Sequence, residues 1–220
     1  MVALTWDGSG ERFFETGIDK GVLYPIDSNG DYPLGVAWNG LVSVTESPSG
    51  AEPTALYADN IKYLTLVSAE EFGCTIEAYT YPDEFAACDG SVEVDDTLTP
   101  GVFLGQQSRQ VFGLVFRTKV GNDVDGDLAY KLHLIYGCLA SPSEKNYQSV
   151  NDSPEAITFS WEVSTTPPTV TGFSPTAQII IDSRTADPTA LAALELDLFG
   201  DVATDPNLPL PDAVITAMTP

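Results

Sequence analysis

Apolar residues fall in short alternating stretches along most of this chain, and the densest stretch lies between Val111 and Cys138. There VFGLVFRTKV and LAYKLHLIYGC flank GNDVDGD. Two apolar runs around a turn of Gly, Asn and Asp predict an antiparallel hairpin. With Val120 opposite Leu128, the residues Phe112, Leu114, Phe116 and Thr118 face Tyr136, Leu134, Leu132 and Tyr130, which makes one face apolar. The other face carries Val115, Arg117, Lys119, Lys131 and His133, with Arg117 beside Lys131, a like-charge pair that needs carboxylates nearby. The expectation is a central hairpin with one buried face and one basic face.

Before it, the first twenty residues hold no sustained period and read as an arm or irregular lead-in. Strands are predicted at Gly21–Ile26 and Val36–Val44. Thr45–Asn60, TESPSGAEPTALYADN, reads as a long loop, of a length that is functional or mobile more often than not; a solvated insertion is the plainer alternative. Apolar character returns from Ile61 through KYLTLVS, and Phe72–Thr80 alternates. TYPDEFAACDG predicts a short helix, with Pro82 at its first position, Asp83 and Glu84 at its positive end and Gly90 after it. Ser91–Asp96, a break at Pro100–Gly101 and a run from Val102 lead into the hairpin.

Beyond the hairpin, AITFSWEVS alternates cleanly, with Ile157, Phe159, Trp161 and Val163 against Thr158, Ser160, Glu162 and Ser164. Thr165–Pro168 breaks the pattern, and a short apolar run follows at Ile179–Ile181. TADPTALAALELDLFGD then predicts a helix over about 188–199, N-capped by Asp187, with Leu191, Leu194 and Leu198 along one face and Gly200 at its end. LPLPDAVITAM adds a helical turn after Asp212. The division expected is a β-rich core over 1–165 and a carboxyl-terminal arm over 166–220. A mainly β antiparallel sheet of this kind needs closure, a second sheet or a partner to cover its edges.

Charge changes the picture. The 220 residues include 32 Asp and Glu against 9 Lys and Arg, a net charge of −23. Such a field repels phosphate, so binding duplex DNA by counterion release is disfavoured, although the chain can sit beside DNA without sticking to it. No stretch approaches the roughly 20 apolar residues that span a bilayer, so no membrane insertion is expected. Cys74, Cys88 and Cys138 are odd in number and lack a metal spacing, which suits free buried thiols. The turn Asn122–Asp127 fails the calcium-loop pattern, because the sixth and twelfth residues from Asp123 are Leu128 and Leu134. His133 has no nucleophile motif to serve, and the glycines form no phosphate loop. Thirty-two carboxylates always permit a glycosidase pair, but none stands out flanked by aromatics. No enzyme activity, cofactor or metal is expected.

Longer blocks carry a resemblance. ESPSGAEPTALYADNIKYLTL, EEFGCTIEAYTYPDEFAACDGS, GVFLGQQSRQVFGLVFRTKVGND, YKLHLIYG and SEKNYQSVNDSPEAITFSWEVSTTP together resemble the major tail protein, or tail tube protein, of long-tailed non-contractile bacteriophages. The resemblance runs from about Gly21 to the LPLPD segment. It implies a β-sandwich or barrel-like core, hexameric rings of this chain stacked into a tube, and a place in the virion tail after synthesis in the host bacterial cytoplasm. Partners implied are further copies of the chain and the tail-tip, tape measure and tail terminator proteins, with DNA passing through. The loop residues Glu46, Pro48, Ser49, Gly50, Glu52, Pro53, Leu56, Tyr57 and Asp59 then become the projection toward an adjacent ring or subunit. Glu77, Glu93, Asp95 and Asp96 become candidate carboxylates of a DNA-repelling channel wall. The alternative from another class is an acidic immunoglobulin-like surface module that binds sugar or calcium.

Overall fold

The computed structural model describes residues 4, 6–95 (Asp95 by its backbone), 99–149 and 156–219. In chain order the first half holds β1 (Phe14–Pro25), β2 (Val36–Ala37), β3 (Leu41–Glu46), β4 (Ser49–Gly50), β5 (Pro53–Ala58), β6 (Ile61–Val67), β7 (Glu70–Glu71), β8 (Gly73–Ala78) and α1 (Phe85–Cys88). The second half holds β9 (Val92–Asp95), β10 (Thr99–Leu104), β11 (Phe112–Gly121), β12 (Ala129–Ala140), β13 (Phe159–Thr165), β14 (Gln178–Asp182), α2 (Pro188–Phe199) and α3 (Pro211–Ala217). The chain is mainly β and antiparallel, with few helices, as its pattern predicts.

The main sheet runs β2-β1-β11-β12-β13-β8-β3, and β14 joins it on β12. Two strands share one side of β12: residues 131–135 pair with β14 and residues 138–140 with β13. The change of partner falls at Gly137, whose φ of 63° suits glycine, and a Cβ there would lie 2.1 Å from the Thr166 carbonyl oxygen. At the far ends of the order β3 approaches β1, and the Trp38 N–H donates to the Gly21 carbonyl (2.8 Å), so the sheet rolls toward closure.

Inside the roll lies an aromatic core. Phe85 from α1 meets Trp38, Trp161 and Phe112 with ring centroids 4.7, 5.0 and 5.5 Å apart. That plug explains a helix of only one turn: α1 exists to deliver Phe85 and Cys88 into the roll. Pro82 stands in the turn before it, where its carbonyl accepts from the Phe85 N–H (3.0 Å). Asp89, at the end of α1, accepts from the Trp161 indole (3.1 Å) and pairs with Lys145 and Arg109, which fastens two loops to the plug.

A second core lies on the opposite face of the sheet, where Val22, Tyr24, Val115, Leu132, Leu134 and Tyr136 pack against Leu191, Leu194 and Leu198 of α2 and Val214 of α3. The α2 start is as expected: the Asp187 carboxylate accepts from the Thr189 and Ala190 N–H groups, both at 2.9 Å.

Several expectations are corrected. Val120 pairs with Ala129, not Leu128. A slip of one residue exchanges the faces of a strand, so Phe116 now stands opposite His133 and Leu114 opposite Ile135, and Arg117 is opposite Leu132 instead of beside Lys131. The hairpin is therefore buried on both faces over most of its length. Its cations are confined to the outer end, where Arg117 makes two bonds to Asp19 (2.7 and 2.8 Å) and Lys131 pairs with Glu15. Residues from Phe14 onward form a strand; bulges between Thr16 and Ile18 and between Asp19 and Val22 break the alternation that would have revealed it. Pro100–Gly101 lies within β10 as an irregularity of its pairing with β9. Thr45–Asn60 is not a loop, since Pro53–Ala58 forms β5 and pairs with β6. The segment after residue 165 is not an arm in the single chain, because β14 extends the sheet and α2 and α3 cover it.

Leu194 is 1% exposed within the second core. Leu194→Ala is expected to cost about 2–5 kcal/mol in denaturant unfolding, as for a buried core leucine. A free carboxyl-terminal arm would lose almost nothing.

Candidate functional site

The feature of this fold that its own packing leaves unfinished is the ribbon between Ser47 and Phe72. The Ser47 N–H closes its base on the Gly73 carbonyl (2.8 Å), β4 pairs with β7, and β5 pairs with β6. At the tip Asp59 and Asn60 have φ of 52° and 63°, the pair of positive angles that a two-residue type I′ hairpin turn requires. Every residue of β6 is exposed. Leu56, Ile61, Leu64, Leu66 and Val67 lie open to solvent, with Tyr57 72% and Tyr63 70% exposed. A lone two-stranded ribbon is marginal in water, and this one is apolar on both faces. The six residues of β5 alone extend about 20 Å at 3.3 Å per residue.

The residues nominated for a projection divide accordingly. Ser49 and Gly50 form β4, Pro53, Leu56 and Tyr57 lie in β5, and Asp59 is in the turn, with Pro48 and Glu52 in the links between. Glu46 belongs to β3 and sits at the base of the ribbon, where its carboxylate accepts from the Gln178 amide and lies 3.8 Å from the His133 imidazole. The return strand, with Ile61, Lys62, Tyr63, Leu64, Leu66 and Val67 on it, coincides with the apolar run from Ile61 but was not assigned to the projection. The available signal was Asp-Asn between two apolar runs of similar length, a hairpin cue.

A second projecting ribbon, β9–β10, exposes Val92, Val94, Val102, Phe103 and Leu104. Between it and α1 opens a cleft of about 760 Å³.

The outward face of β3, β8 and β13 has a different character. Cys74, Ile76, Ala78, Trp161 and Val163 point into the roll, so Thr75, Glu77, Ser160, Glu162 and Ser164 point out. Glu77 stands between Ser43 and Ser160, accepts from the Ser43 hydroxyl (3.0 Å), and Glu162 is one diagonal step away opposite Thr75. The nominated channel carboxylates are not brought together. Glu77 lies on this face, whereas Glu93 is on the separate β9–β10 ribbon, bonded to the Gly101 N–H (2.7 Å). The backbone of Asp95 ends β9, and Asp96 lies outside the described residues. Glu162 is the neighbour that sequence reasoning passed over.

The cations are almost all committed internally. Arg12, Arg109, Arg117, Lys119, Lys131, Lys145 and Arg184 each pair with a carboxylate of the same chain. Lys20 lies over the Phe199 ring at 4.7 Å. Among the described residues that leaves Lys62, at the ribbon tip. The Asp19 carboxyl is held below its usual range by its bond to Arg117. Burial pushes the Cys74 and Cys88 thiols up to about 12 and Cys138 well above the usual value, which makes all three poor nucleophiles.

His133 is buried, stacked on Phe116 (centroids 4.6 Å, planes within 6°) and bonded through Nε2 to the Thr118 hydroxyl (2.9 Å). Burial lowers its pKa below 6.5, against the pull of Glu46 and Glu15. This is a packed histidine, with no nucleophile against it.

Comparison with known proteins adds no relative: no protein-family model matches the chain, and no curated protein matches it.

Two measurements follow from this geometry. In the monomer, amides of β5 and β6 are expected to exchange with solvent far faster than those of β11 and β12, because both sides of the ribbon are wet. For His133, the unfolded imidazole takes up its proton first on acidification, so the unfolded state binds more protons and stability falls. The contribution is complete above pH 6.5 and is lost as pH drops through the lower folded value. An NMR titration should place the His133 midpoint below 6.5, and this part of the pH dependence should vanish in His133→Gln.

Proposed function

We propose that this chain is the repeating subunit of a bacteriophage tail tube: copies associate into rings, hexameric in the family it resembles, and the rings stack around an acidic channel through which DNA passes. The observation that carries the reading is the β5–β6 ribbon, apolar on both faces and uncovered by its own chain. Burying a Leu, Ile or Val side chain contributes roughly 1.5–3 kcal/mol. The ribbon's five exposed aliphatics therefore offer on the order of 10 kcal/mol, comparable with the roughly 4–15 kcal/mol that association costs in lost freedom. Such a ribbon is favourable only when another molecule covers it.

The charge distribution supports the second half of the proposal. Protein–DNA affinity falls with salt by a slope of about −0.9 per phosphate neutralised, and here nearly every cation already has a carboxylate. The face of Glu77 and Glu162, dressed with serine and threonine hydroxyls, offers a duplex hydration and repulsion instead of contacts. That suits a wall past which DNA slides.

Electron microscopy of the purified chain at high concentration, with size-exclusion chromatography beside it, tests the reading. Hollow stacked rings are expected from the intact chain. Replacing residues 51–68 by a short glycine turn should leave a folded monomer that forms no tubes. Tubes from that variant would remove the ribbon from the assembly. A chain that stays monomeric and also fails to extend tubes from added tail-tip complexes would overturn the proposal. Duplex DNA should show no retention by the chain even at about 50 mM salt, where phosphate contacts are strongest.

A further inference from the structure

Resting on the tail-tube reading, we infer that the tip of the β5–β6 ribbon docks, through Tyr57 and Lys62, into the cleft between α1 and the β9–β10 ribbon of a second copy of this chain, and that this contact propagates the stack. Three observations carry it.

The first is placement. β3 ends at Glu46 and β8 begins at Gly73, so the ribbon leaves one end of this strand pair. Leu41 pairs with Ala78 at the other end, from which the chain turns through Tyr81 and Pro82 into α1. Projection and cleft therefore occupy opposite ends of a strand pair about 20 Å long at 3.3 Å per residue. A plug and a receptor at opposite ends of one molecule make a heterologous contact, and repeated by translation it extends without limit.

The second is charge. Lys62 is, among the described residues, the cation with neither an ion pair nor a ring beneath it. The cleft is lined by Asp83, Glu84 and Glu93, and none of these three has a cation within ion-pair distance among the described residues. In a chain this acidic, an unpaired lysine and a cation-free cleft are complementary.

The third is surface. Tyr57 stands directly across the ladder from Lys62, giving the tip an aromatic and a cationic group side by side. The cleft supplies Ala87, Val92 and Phe103 beside its carboxylates. An aromatic seated in an apolar pocket with a charge pair at its edge is the usual composition of an interface centre. Asp59 in the turn is repelled by the same carboxylates, so the contact runs through the Tyr57–Lys62 pair and not through the turn.

Charge reversal tests the assignment. Lys62→Glu, and separately Glu84→Lys with Glu93→Lys, should each raise the concentration needed for tubes at least tenfold while circular dichroism shows the fold intact. The three changes in one chain should restore assembly. Unchanged assembly of Lys62→Glu, or no restoration in the triple variant, overturns the docking assignment and leaves the tail-tube reading standing. As a second measurement, Lys62→Cys and Glu93→Cys chains are mixed, allowed to assemble and treated with a thiol-specific cross-linker. The native cysteines are buried, so a 62–93 linked dimer is the expected product, and tubes without that product overturn the assignment. If the wild-type chain never associates under any condition, the tail-tube reading falls and this inference falls with it.

Discussion

Everything in this structure hangs on the β11–β12 pair, because it is covered on both sides. Phe112, Leu114, Phe116 and Ile135 face the aromatic core of the rolled sheet, while Val115, Leu132, Leu134 and Tyr136 face α2 and α3. A ladder buried on both faces tolerates no slip, since moving by one residue would trade one core for the other. β1 and β14 are positioned by this pair, and through Gly137 so is β13, which carries β8 and β3 beyond it. The ion pairs at the outer end of the hairpin follow from the same arrangement: with both faces occupied, Arg117, Lys119 and Lys131 gather where the strands run out to solvent, and the acidic chain supplies their partners from β1 and the turn.

The consequence is a molecule saturated in some places and deficient in others. Its thiols are buried and its cations are nearly all paired. What remains is a surface of carboxylates and hydroxyls on one half of the sheet and two apolar ribbons that reach away from it. These two residues of incompleteness are of opposite kinds. The ribbons hold apolar side chains out in water, whereas the acidic face is well solvated and repels other anions. The proposed tail-tube subunit would use both features, covering its projections with further copies and leaving the charged face open.

Much of this organisation was legible in the chain. Strict alternation in AITFSWEVS, the turn GNDVDGD between apolar runs, and Asp187-Pro188 before a leucine face are local signals, and each specified its element because the physics involved acts within a few residues. The mainly β class followed from those same signals. Where local alternation was interrupted, by the bulges of β1 or by Pro100–Gly101 in β10, only the part of the strand beyond the interruption was legible, Gly21 onward in β1 and Val102 onward in β10, because a bulge shifts the period without ending the pairing.

Sequence by itself determined the elements with uninterrupted local patterns, the acidity, and the absence from the pattern of a nucleophile or phosphate motif. Tertiary structure decided the rest. Register was its decision, since Val120–Ala129 pairing is set by what covers each face and not by the turn alone. So was the role of the carboxyl-terminal segment, whose leucines look the same whether a helix is an arm or a layer until a sheet is found beneath them. Exposure was the last. Leu56 and Leu66 on the ribbon are chemically identical to Leu114 and Leu134 in the cores, and composition marks all four as interior. Only the path of the chain shows that two of them have no interior to enter, because burial is a property of what surrounds a side chain and not of the side chain.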